Sequence, residues 1–189
     1  MLTRTRRWLG ATAVALATLT AAACDGTDGS LGPTSPIPGH SRAPVFDGCP
    51  TITVPTGQKL AHRLYARGTQ IYRWDGLAWT LVGPSATLYA NAGMTAAVGT
   101  HYVGPTWQSS SGSKVVGAVQ QRCTPDAGSV AWLLLGATSS SGPGFFEGTT
   151  YIQRVHTAGG VAPATPGAAI GDLVQVPYTT QYLFYKRAR

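Results

Sequence analysis

The stretch Thr69-Gln-Ile-Tyr-Arg-Trp74, Asp75-Gly76, Leu77-Ala-Trp-Thr-Leu-Val82 decides the fold class. Two runs rich in β-branched and aromatic residues flank an Asp-Gly pair, which tolerates the positive backbone angles of a tight hairpin. The same pattern continues outward on both sides. Leu60–Ala66 leads into the hairpin through Arg67-Gly68, while Ala86–Ala90 and Ala96–Val103 are separated by Asn91-Ala-Gly93. Lys114–Arg122, Val130–Leu135, Thr149–His156 and Tyr182–Tyr185 follow, each after a loop rich in Ser, Gly, Pro or Asp. Val130-Ala-Trp-Leu-Leu-Leu135 is apolar on both faces and reads as the central buried strand. Leu60–Ala66 is short enough to pass for helix, but no segment sustains a 3.6-residue period with caps. The expectation is an all-β, single sandwich- or barrel-like domain of about nine or ten strands over residues 46–189.

Residues 1–23 read as a signal peptide. Arg4, Arg6 and Arg7 form a basic head before the apolar run Leu9–Ala23, which is too short for a bilayer span. Thr5-Arg-Arg-Trp-Leu9 partly resembles a twin-arginine export motif. Cys24 directly follows Ala21-Ala-Ala23, so the segment resembles a bacterial lipoprotein signal, which implies lipidation of Cys24. Ordinary cleavage after an A-x-A site is the alternative. Residues 24–45 contain Pro33, Pro36, Pro38 and Pro44 among several glycines and read as a tether, with His40 simply solvated.

Charge narrows the partners. The chain of 189 residues carries a net charge of +7, yet three basic residues lie in the first seven positions and Lys186, Arg187 and Arg189 lie in the last four. Without those two groups eight basic residues face seven acidic ones, so the body is near neutral. A basic face interleaved with aromatics is missing, which argues against nucleic acid. The basic end reads as solvated or as brushing anionic headgroups.

Three cysteines leave one unpaired in an oxidising compartment. With Cys24 lipidated, Cys49 and Cys123 remain, either as one disulfide or as two buried thiols. A bond between them would close a loop of about 75 residues, worth on the order of 4 kcal/mol. No Cys/His zinc spacing or haem motif occurs, and no cofactor is expected.

Catalytic motifs are equally scarce. The chain lacks a dinucleotide fingerprint, a phosphate loop, a G-x-S-x-G elbow and an H-E-x-x-H helix. Asp75 and Asp126 sit where turns use them, leaving Asp47, Glu147 and Asp172 without paired spacing. His62, His101 and His156 lie on separate segments, where satisfied histidines are the ordinary outcome. Among four tryptophans of the domain, Trp132 sits in the buried-looking strand, whereas Trp107 follows Gly104-Pro105 and reads as a loop residue.

Several segments in order carry a resemblance: Gly68-Thr-Gln-Ile-Tyr72, Gly99-Thr-His-Tyr-Val-Gly-Pro-Thr-Trp107, Gly112-Ser-Lys-Val-Val-Gly117, Trp132–Leu135, Tyr151-Ile-Gln-Arg-Val155 and Gly159-Gly-Val-Ala-Pro163. With Val176-Pro-Tyr178 and Tyr182–Tyr185 they resemble an exported β-rich domain of unknown function found in bacteria and filamentous fungi, some members of which are labelled malate dehydrogenase. The resemblance covers about residues 55–185. It implies export and a β fold but no established reaction, and a dehydrogenase is disfavoured without nucleotide fingerprint or α/β alternation. Relatives carry one cysteine just after Gln-Ile-Tyr and another shortly after Gly-Gly-x-Ala-Pro. Here Arg73-Trp74 and Thr165-Pro-Gly167 stand in those places, which implies a relative's disulfide replaced by Cys49 and Cys123.

The expected function is a non-catalytic, lipid-anchored or secreted envelope domain, located in the periplasm or on the cell surface. Its partners would be the membrane through its lipid and an envelope glycan, a small ligand or a protein. His101, Trp107, Arg154 and His156 are the candidate ligand surface. One alternative is a small extracytoplasmic hydrolase using His101 or His156 with Asp172, Glu147 or Arg154; another is a structural subunit of an envelope assembly.

Overall fold

A computed structural model describes residues 43–189, so the signal peptide, Cys24 and the tether up to residue 42 lie outside the described residues. A short 3-10 turn at Pro50–Ile52 precedes eight strands: β1 Gln58–Trp74, β2 Trp79–Tyr89, β3 Ala97–Tyr102, β4 Thr106–Ser109, β5 Lys114–Cys123, β6 Trp132–Ser141, β7 Tyr151–Gly159 and β8 Leu173–Arg187. Each strand pairs antiparallel with its neighbour in sequence, and β8 returns to β1, closing an up-and-down barrel. The all-β reading holds, and closure removes the sheet edges that an open sandwich would expose.

The strand count is eight rather than nine or ten. Leu60–Ala66 and Thr69–Trp74 are one strand, because Gly68 continues the ladder instead of turning it. A side chain at Gly68 would collide with the Ser85 carbonyl oxygen and with Ala86, so glycine lets β1 and β2 approach there. The break expected between Val82 and Ala86 is a register shift within β2. The Asp-Gly hairpin forms, but its loop spans four residues between the paired Trp74 and Trp79. There Asp75 accepts hydrogen bonds from the Leu77 and Ala78 amides at 2.8 Å, and Gly76 takes φ 103°. Residues 106–109, expected as loop, form β4.

Period-2 alternation builds two cores. Inside the barrel pack Leu64, Leu88, Trp107, Val115, Leu133, Leu135, Ile152, Tyr182 and Phe184. Outside, Leu134, Val155, Leu183 and Tyr185 lie under the segment Cys49–Val54, joined by Ala43 and Phe46. This explains the doubly apolar run in β6: Leu133 and Leu135 face the interior, while Leu134 faces the covering segment. Closure leaves no central strand, so that part of the expectation falls; Ala43 also extends the packed region beyond the expected boundary at 46.

Cys49 and Cys123 form a disulfide with their Cα atoms 5.6 Å apart. Gln153 Nε2 donates to the Ile52 carbonyl at 2.7 Å and Thr51 Oγ1 to that of Arg122, holding the same segment on the barrel wall. Such a bond suits an oxidising, non-cytosolic compartment. No helix among the described residues is long and apolar enough to cross a membrane. At the places where the resemblance implies a lost cysteine pair, Gly167 lies directly against Trp74.

The two barrel ends differ. The β6–β7 loop inserts Phe146, fully buried against Phe184, and Phe145 beside it stacks on His62 at 4.0 Å. This stopper closes the end that also carries Lys59, Glu147, Lys186 and Arg187. Lys186 and Arg187 belong to β8, paired with Lys59 and Gln58, and Arg187 and Arg189 are exposed to solvent. The other end, where the β1–β2, β3–β4, β5–β6 and β7–β8 connections gather, is open.

Candidate functional site

At the open end a cavity of about 100 Å³ enters the interior, lined by Gln70, His101, Trp107, Arg154 and Tyr182 together with Leu81, Pro84, Pro105, Val119, Leu133 and Leu135. Strand parity places its polar groups. Gln70 lies between Gly68 and Tyr72 on the inward face of β1, and Arg154 of β7 is directly opposite both Leu133 of β6 and Tyr182 of β8. His101 and Trp107 pair across β3 and β4, their rings stacked at 4.4 Å and 11°. Tyr182 meets both edge-on, at 5.0 and 5.2 Å. Trp107 is therefore a wall of the cavity, 1% exposed, and the loop placement is corrected. The tight Val103–Pro105 turn returns the chain at once into β4, burying the indole.

His101 Nδ1 lies 2.8 Å from the Thr106 carbonyl oxygen. A carbonyl only accepts, so Nδ1 carries the proton and Nε2 keeps its lone pair. Burial lowers the His101 pKa from 6.5 to about 3; the Thr106 bond opposes this and the Arg154 charge adds to it. The ring is neutral at physiological pH.

Arg154 donates through Nε at 3.0 Å and through an Nη at 2.7 Å to the Ala131 carbonyl. Its charge also opposes the upward shift that burial imposes on Tyr72, Tyr178 and Tyr182. The Tyr72 hydroxyl donates to the Gly160 carbonyl at 2.6 Å. By contrast, Gln70 Nε2, Trp107 Nε1 and the hydroxyls of Tyr178 and Tyr182 are buried without a well-formed hydrogen bond, although Tyr178 adjoins Gln70 and Tyr182, and Tyr182 also adjoins Arg154. A buried polar group left without a partner costs about 1–3 kcal/mol. Three of these groups, on Gln70, Trp107 and Tyr182, line the cavity, an arrangement that favours a guest or water.

His156 does not join them. Parity alone would align it with Ile152 and Arg154, but the register shifts between Val155 and Ala158 and His156 takes φ 50°. The bulge turns the ring outward onto Phe46 and Trp132, with centroids 5.7 and 4.9 Å away. Glu147 lies at the stoppered end, while Asp172 accepts a hydrogen bond from the Ala169 amide in a turn. No cluster able to hold a metal occurs among the described residues. Thus His101, Trp107 and Arg154 share one cleft, His156 lies elsewhere, and the lining residues Gln70 and Tyr182 were missed. The signal for these last was available: polar or hydroxylated side chains at inward positions of strands.

Neither the curated proteins nor the solved structures compared with this chain include a match. A family model does match, over residues 55–186, spanning seven strands and all but the last residue of β8. The chain therefore belongs to the family described as protein of unknown function (DUF3455).

Proposed function

We propose that this chain is an exported, membrane-tethered envelope protein whose barrel binds a small ligand non-catalytically at its open end. The observation that carries the reading is the cavity with the buried hydrogen-bonding groups of Gln70, Trp107 and Tyr182 in its lining. An eight-stranded barrel has room for side chains and one small ligand, and here a polar set converges on an otherwise apolar lining. The disulfide favours the extracytoplasmic location; lipidation at Cys24 rests on the sequence pattern.

The hydrolase alternative gains less support. A histidine held near pKa 3 is a weak general base at neutral pH, and His101 and His156 occupy opposite sides of the barrel wall. The structural-subunit reading draws on one feature, the apolar residues exposed at the open end, and a stable oligomer on sizing would favour it.

Polar groups kept for a ligand leave a stability signature. Gln70→Leu and Tyr182→Phe should each raise the melting temperature of the ligand-free protein, because an unpaired buried group disappears. The same substitutions should remove small molecules that native mass spectrometry detects on protein isolated from the envelope. Lower stability in both variants, with no bound molecule on the parent protein, overturns the proposal.

A further inference from the structure

We infer that the ligand is an amphiphilic carboxylic acid, its carboxylate held beside Arg154 and its hydrocarbon part leaving through the open end. This rests on the small-ligand reading above and adds the chemical class. The first argument is charge. The cavity is lined by Arg154 and, at its mouth, by Arg122, with no Asp or Glu in the lining. Arg154 is half-buried; it donates to the Ala131 carbonyl, adjoins the Tyr182 hydroxyl and faces no carboxylate in the cavity lining. A half-buried guanidinium without a counter-ion attracts an anion.

The second argument is donor and acceptor balance. Trp107 Nε1 is an obligate donor without a protein acceptor, and the Gln70 amide and Tyr182 hydroxyl, which adjoin Tyr178 and Arg154, make no well-formed hydrogen bond that a ligand would have to displace. Such a set fits a ligand presenting oxygen acceptors, which a carboxylate does with two oxygens and a single charge.

The third argument separates this ligand from an inorganic oxyanion. Leu81, Pro84, Pro105, Val119, Leu133 and Leu135 supply the rest of the lining, and a sulfate or phosphate would turn its remaining oxygens onto hydrocarbon. The cavity of about 100 Å³ accommodates a headgroup and little more. Beyond it the rim is apolar: Leu81, Val103, Val119, Ile170 and Leu173 are 57%, 58%, 37%, 79% and 61% exposed, all on strands or connections of the open end. Of the large apolar side chains exposed in the described residues, all except Val45 lie at this end. A tail emerging from the cavity would cover them.

Calorimetric titration of the full chain with decanoate, decanol, acetate and inorganic phosphate tests the inference. Decanoate should bind at least about tenfold more tightly than any of the other three. Arg154→Gln should weaken decanoate by about tenfold or more while leaving decanol unchanged. Should that variant fold poorly, the exposed Leu81 gives an independent reading: Leu81→Asp should weaken decanoate about tenfold more than Leu81→Lys does. Equal binding of decanol and decanoate overturns the acid while sparing the small-ligand proposal. Equal binding of acetate or phosphate overturns the hydrocarbon part. No binding by any probe overturns the inference outright, whereas the small-ligand proposal is decided separately by the stability of Gln70→Leu and Tyr182→Phe.

Discussion

Removing the Cys49–Cys123 disulfide should cost this barrel much of its thermal margin. The bond joins residues separated by 74 positions, tying the N-terminal segment to the end of β5. The chain-entropy relation for a loop of about 75 residues gives about 4.5 kcal/mol at 25 °C, as a reduction in the freedom of the unfolded chain. At about 3 °C per kcal/mol for a domain of this size, the loss is roughly 10–15 °C in melting temperature. Alanine is the appropriate replacement, since Cys49 is 1% exposed and a serine would bury a hydroxyl. The Cys49→Ala, Cys123→Ala protein and its parent would be melted by circular dichroism, with an apolar-surface dye followed at room temperature. Two routes of weakening are distinguishable. If the barrel and its covering segment unfold together, the melt shifts and the dye stays dark before the transition. If the segment lifts first, Leu134, Val155, Leu183 and Tyr185 are uncovered and the dye responds while strand signal persists. A shift under about 3 °C without dye binding refutes the reasoning, showing that Ile52, Val54 and the Gln153 bond hold the segment unaided.

Two further outcomes follow from the same geometry. Because the folded pKa of His101 lies below that of the unfolded chain, the unfolded state binds the extra proton and stability falls as pH drops from about 6.5 toward 3, His62 adding the same sign through its burial. Urea unfolding at pH 7 and pH 5 should differ by about 2 kcal/mol from His101 alone, and His101→Gln should largely remove that difference; an unchanged slope would contradict the burial of a neutral ring. A β-carbon placed on Gly167 would stand 2.8 Å from that of Trp74, so Trp74→Cys with Gly167→Cys should cross-link after a backbone shift of about 1 Å, read as loss of free thiol by mass spectrometry. Persistence of both thiols under oxidising conditions would show that the segments do not close as described.

Local chemistry alone determined a large part of this protein. Asp75-Gly76 between aromatic and β-branched runs marks a hairpin because few residues accept the required backbone angles, and, on the expectation that Cys24 carries lipid, the cysteine count left Cys49 and Cys123 as a pair able to bond. Strand boundaries were less legible. Gly68 carries the composition of a turn but serves a close approach between β1 and β2, a distance that exists only once the sheet curls. The cleft follows the same division. Arg154, His101 and Trp107 stood out as residue types, yet whether they meet depends on the register of neighbouring strands and on closure through β8 and β1. His156 shows the limit most clearly. Period-2 alternation would have it face inward, and one bulge at Val155–Ala158, decided by how β7 fits β8, turns it outward. Sequence thus set most of the strand-forming runs and which residues are able to bond. The closed barrel set which way they face, because inside and outside exist only after the last strand pairs with the first.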